Sequence, residues 1–139
     1  MSMAATAMRC LVVDDFVTMR RVVRSLLREL GFADVDIVEA ANGAAALERL
    51  REETFDVVIT DIEMPALGGF ELLSAIRRDP RWRHLPVLMV TAEARKDEIV
   101  RCTQAGASAY LVKPFARAVL EDKLRVALPA AFASTDASS

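Results

Sequence analysis

Four short apolar runs in this chain each end in polar residues, with helix-length stretches between them. Cys10-Leu11-Val12-Val13 leads into Asp14 and Asp15, and Val57-Val58-Ile59-Thr60 into Asp61. Val87-Leu88-Met89-Val90 leads into Thr91, and Tyr110-Leu111-Val112 into Lys113. Continuous, β-branched runs of this length read as strands buried on both faces, the mark of a parallel sheet. In an open parallel sheet all carboxyl ends share one edge, and ligands bind there. The pattern therefore gathers three carboxylates, a hydroxyl and an ammonium into one cleft. A phosphoryl acceptor working with magnesium needs that set.

The alternation of strand and helix continues along the chain. Strands are expected at about 9–13, 35–39, 56–60, 86–90 and 109–112. Helices are expected at about 17–30, 43–50, 70–78, 96–105 and 116–128, with Gly31, Gly106 and Pro129 as stops. Segment 35–39 carries Asp36 and Glu39, which suits an edge strand. Five βα units make a three-layer α/β fold, with helices on both faces of a doubly wound parallel sheet.

The 139 residues read as one domain at 9–128, with a flexible segment at 1–8 and a disordered Ala/Ser-rich tail at 129–139. A net charge of −2 argues against nucleic acid as the main partner. No signal peptide or membrane span is expected, so the protein is expected to be cytoplasmic. Cys10 and Cys102 read as buried thiols of a reducing compartment.

Each polar residue of the cleft has a bland reading beside the chemical one. Asp14 and Asp15 would suit the dipole of the following helix, but two adjacent acids behind a buried strand repel each other unless a cation relieves them. Asp61 is the candidate nucleophile, because a carboxylate can attack an activated phosphoryl group. Thr91 read alone is a helix cap. Lys113 is harder to dismiss, since an unpaired charge beside an apolar strand is costly. Lys113-Pro114 is a candidate cis peptide. Tyr110 reads equally as an edge aromatic or a switch. Trp82 is expected in a loop outside the cleft, and His84 facing solvent. Arg20, Arg21, Arg24 and Arg28 give the first helix a basic face, read as solvated, with docking to an acidic partner as the alternative.

At these residues the chain resembles the receiver domains of two-component response regulators, especially their single-domain chemotaxis members. The resemblance runs from Arg9 to Leu128, on Leu11-Val-Val-Asp-Asp-Phe16, Thr18-Met-Arg-Arg21, Leu85 to Glu93, Gln104 to Ser108 and Lys113-Pro-Phe115. It implies the flavodoxin-like strand order 2-1-3-4-5. It implies that Asp61 accepts a phosphoryl group from a histidine kinase. Magnesium (Mg2+) would be held by Asp14, Asp15, Asp61 and the main-chain carbonyl of Glu63, and the phosphoryl group by Thr91 and Lys113. Thr91 and Tyr110 would then rearrange a partner surface carrying Lys96, Ile99 and Lys123, for a flagellar motor switch protein. A monomer is expected, with an auxiliary phosphatase as a further partner. Its catalysis would be confined to its own phosphorylation and dephosphorylation.

Two departures stand beside the nucleophile. Ile62 replaces a tryptophan of the familiar chemotaxis member, and Glu63 replaces an asparagine. A carboxylate at 63 either repels hydrolytic water or pairs with Lys113. Two further residues are inserted near 36–41. The runner-up is a phosphorelay intermediate passing its group to a histidine phosphotransfer protein. An aspartate-nucleophile phosphatase would use Glu63 as its acid, two positions beyond Asp61. A flavin carrier ranks last, because the acidic loop after the first strand would repel a flavin phosphate.

Overall fold

The computed structural model describes residues 8–128. Five parallel strands form one sheet: β1 (Cys10–Val13), β2 (Ile37–Ala40), β3 (Val57–Asp61), β4 (Val87–Thr91) and β5 (Ala109–Val112). Their order is β2-β1-β3-β4-β5. The helices are α1 (Val17–Glu29), α2 (Gly43–Glu52), α3 (Gly69–Arg78), α4 (Lys96–Ala105) and α5 (Arg117–Ala127).

The two-residue period of a strand sends neighbouring side chains into separate cores. Cys10, Val12, Ile59, Leu88, Val90 and Leu111 pack with Val23 and Leu27 of α1 and Leu120 and Leu124 of α5. Leu11, Val13, Val58, Val87 and Met89 pack with Ala46 and Leu50 of α2, Leu72, Leu73 and Ile76 of α3, and Cys102 of α4. β1, β3 and β4 are buried along their whole length, so these strands are apolar on both faces. Cys10 and Cys102 are buried free thiols, and burial pushes both thiols up from their ordinary pKa.

Near residue 35 the chain does not form the strand expected at 35–39. Asp34–Asp36 form a 3₁₀ turn, and the strand begins at Ile37. Val35 is 80% exposed, so its β-branched character marks no strand. The strand is an edge strand, as its charges implied, and α1 clamps it. Glu39 accepts from Arg20 Nε at 2.9 Å and from Arg24 Nε at 2.7 Å. Burial works against the Glu39 carboxylate, but these two arginines outweigh it and hold its pKa below the ordinary value. Arg20 and Arg24 are thus engaged within the molecule, while Arg21 is exposed. Met8, placed in the N-terminal segment by sequence, packs against the core. Residues 1–7 and the tail at 129–139 lie outside the described residues. Among the described residues no helix is long and apolar enough to cross a membrane.

Candidate functional site

Strand register builds the site. Val13 lies opposite Thr60, and Asp61 lies opposite Val90, so the ends of β1, β3 and β4 are level. Asp14 and Asp15 leave β1 at that edge, Asp61 is the last residue of β3, and Thr91 is the last of β4. Backbone crowding fixes the floor. Gly69 opens α3 where an added Cβ would strike the Asp61 carbonyl, so only glycine lets the helix approach this closely. The Lys113-Pro114 bond is cis.

One oxygen from each of Asp14, Asp15 and Asp61 lies within 4.8 Å of the others. Lys113 Nζ reaches into this group, 3.2 Å from Asp14 Oδ2 and 3.0 Å from Asp61 Oδ1. One ammonium among three carboxylates leaves the site with excess negative charge. Asp14 Oδ1 also accepts from the Phe16 N–H at 2.9 Å. Asp15 Oδ1 is buried and has no hydrogen-bond partner. A buried carboxylate oxygen left bare is costly, and a cation would relieve it. An all-oxygen donor set suits a hard divalent ion of the magnesium type.

The same crowding tunes Asp61. Burial raises its pKa to about 6; the hydrogen bond and charge of Lys113 oppose that shift, and Asp14 and Asp15 add to it. Burial pulls Lys113 down, yet Asp61 and Asp14 outweigh it and raise its pKa above the ordinary value. Asp61 therefore stays mostly ionised at neutral pH, with more basicity than an ordinary carboxylate. That combination favours a nucleophile.

The remaining expected residues fall in three places. Glu63 is exposed, and its carboxylate stands outside the acidic cluster. It lines a small pocket with Thr91, Ala92, Glu93, Arg95 and Glu98. Lys113 is paired with Asp14 and Asp61, so the pairing of Glu63 with Lys113 is not what the structure forms. Ile62, next to Asp61, is buried in the core. Tyr110 is half-buried on β5, with Lys123 Nζ 5.2 Å from its ring centroid. Lys96 and Ile99 are one turn apart on α4, the lysine exposed and the isoleucine half-buried. Trp82 lies between α3 and β4, half-buried against the core and under the Arg81 guanidinium. His84 is exposed, as expected.

The structure adds a residue that sequence reasoning missed. Thr91 does not point its hydroxyl at Asp61. It donates instead toward Glu98 Oε1 on α4, with the Glu93 carbonyl as a second acceptor at 2.9 Å. Glu98 carried no signal of its own, because an acid in the first turn of a helix reads as a dipole partner.

Comparison with known proteins agrees with this geometry. Residues 10–125 match the response regulator receiver domain. The chain is 50% identical over 117 residues to the chemotaxis protein CheY of Pseudomonas aeruginosa, covering 84% of this chain and 93% of that protein. It is also 50% identical over 117 residues to CheY-3 of Vibrio cholerae, covering 84% and 88%. Among solved structures, CheY4 of Vibrio cholerae superposes with a TM-score of 0.80 at 34% identity, covering 88% of this chain and all of that one. A buried aspartate at the end of β3, flanked by an acidic pair and an inserted lysine, thus sits on the matching sheet, and the chain belongs to the response regulator receiver domain family.

Proposed function

We propose that this protein is a phosphorylation-activated chemotaxis switch in the cytoplasm. Asp61 takes a phosphoryl group from a histidine kinase, and the face built by α4, β5 and α5 then binds a flagellar motor switch protein. The observation that carries the reading is the bare, buried Asp15 Oδ1 beside an aspartate paired with Lys113. A cation would relieve the bare oxygen, and the cation with Lys113 would then receive an incoming phosphoryl group.

Asp14, Asp15 and Asp61 would hold Mg2+, with the Glu63 main-chain carbonyl. Bound there, the ion would neutralise charge that gathers on the phosphoryl oxygens. A carboxylate oxygen of Asp61 forms the new P–O bond as the P–N bond of the donor phosphohistidine breaks. The imidazole nitrogen keeps the bond pair and takes a proton from solvent as it leaves. Lys113 stays beside the Asp61 carboxylate and meets a phosphoryl oxygen as a point charge. Thr91 supplies a hydroxyl donor to another. The protein's catalysis is confined to gaining and losing this group, and it works as a monomer.

The partner face rests on the placing of Lys96 and Ile99 on α4, and of Tyr110 under Lys123. The test is affinity capture from a lysate with the protein held in magnesium, with and without beryllofluoride. Recovery of a motor switch protein only with beryllofluoride is expected. Recovery of a histidine phosphotransfer protein instead would make the chain a phosphorelay intermediate.

A further inference from the structure

Thr91 has one hydroxyl proton, and two acceptors lie within its reach. The hydroxyl donates toward Glu98 Oε1, with the Glu93 carbonyl as a second acceptor at 2.9 Å, and it accepts the Glu93 N–H at 3.2 Å; of the two acceptors the carboxylate is the stronger. Glu98 belongs to the first turn of α4, while Thr91 ends β4. The bond therefore ties the sheet edge to the helix across the loop 92–95. The Glu98 side chain is only 13% exposed, and Oε2 lies 3.8 Å from Arg95 Nη2. A hydrogen bond to a carboxylate is charge-assisted and about twice as strong as a neutral one.

We propose that Glu98 is a positioning residue for the switch: its carboxylate holds the Thr91 hydroxyl on α4 and competes with the phosphoryl group on Asp61 for that single donor. This rests on the reading of Asp61 as the acceptor and Thr91 as a donor to its phosphoryl group. The consequence is a two-position element. With Asp61 bare, Thr91 is held by Glu98. With Asp61 occupied, Thr91 turns to the new oxygens, and Glu98 and Arg95 lose their tie to the sheet. Occupancy of Asp61 is thereby coupled to the first turn of α4, and the coupling is reciprocal. Weakening the Glu98 acceptor must strengthen the hold on any anion at Asp61.

Glu98→Gln keeps the shape and removes the charge that makes the bond strong. Beryllofluoride binding in magnesium, followed by fluorine NMR, should tighten by about three- to tenfold. Glu98 is also a negative charge near an anionic ligand, and its removal would help binding through the field alone. Thr91→Ala separates the two causes. If Glu98 acts through Thr91, Glu98→Gln changes affinity little in the Thr91→Ala background, so the double-mutant cycle shows coupling. Glu98→Ala should behave like Glu98→Gln, and circular dichroism checks that each variant is folded. Equal affinity of wild type and Glu98→Gln would overturn the proposal. So would a tightening of the same size in the Thr91→Ala background. Failure of the wild type itself to bind beryllofluoride would instead overturn the reading of Asp61, and this inference with it.

Discussion

Asp61 is the residue on which two demands conflict. Burial beside Asp14 and Asp15 raises its pKa from 3.8 to about 6, and Lys113 only partly offsets the cost. Because the folded-state pKa lies above the unfolded value, the folded chain binds the proton more tightly. The stability contributed by that proton is fully present below about pH 3.8 and is lost as pH rises through about 6. Asp61→Asn should therefore be more stable than wild type in metal-free buffer at pH 8, by about 2 kcal/mol. The gap should close near pH 4. Urea denaturation at both pH values checks this, and a gap that persists at the acid end would mean that burial of charge is not its cause. Glu63 poses a different question two residues later. It is exposed at the rim of the pocket it shares with Thr91. Water attacking an acyl phosphate brings electron density toward an anionic centre, and a carboxylate nearby raises that barrier. Glu63→Asn should hasten release of phosphate by about two- to fivefold, a scale set by an exposed charge. Phosphate release from labelled protein measures it. A slower variant would show that Glu63 guides the water.

At the scale of elements, what could be read in advance depended on where each strand and helix is buried. β1, β3 and β4 touch both cores, so their apolar runs announced them. α4 and β5 fall where glycine and periodicity placed them, because Gly106 takes the left-handed conformation that ends the helix, at φ 92°. β2 was misplaced at its start, because an edge strand of four residues has only a short apolar signature. The clamp of Glu39 by Arg20 and Arg24 was not legible, since it joins residues 19 and 15 positions apart across two elements. The Thr91–Glu98 bond was hidden for a similar reason: helix-surface acids look alike in sequence. The connection from β3 to α3 holds a local conflict. Ala66 has φ 68°, a left-handed conformation that a Cβ disfavours. Ala66→Gly should raise stability by about 0.5–1 kcal/mol, the strain relieved less the entropy that glycine adds to the unfolded chain. Thermal unfolding tests it. A destabilised variant would mean that the alanine side chain makes contacts worth more than the strain.

At the scale of the molecule, the doubly wound sheet converts four separate stretches of sequence into one acidic site. The residues of that site were legible because parallel strands place all their ends on one edge. Their connections were not, because register decides which groups meet. Lys113 reaches Asp14 across 99 positions of chain. The same architecture links the site to the face carrying Tyr110 and Lys123, since Thr91 ends β4 beside β5. On the proposed function, Asp61 alone takes the phosphoryl group. Acetyl phosphate with magnesium, read by intact mass spectrometry, tests this. The wild type should gain one phosphoryl group and Asp61→Ala none, while Asp15→Ala should label slowly for want of a metal ligand. Full labelling of Asp61→Ala would place the phosphoryl group on another residue.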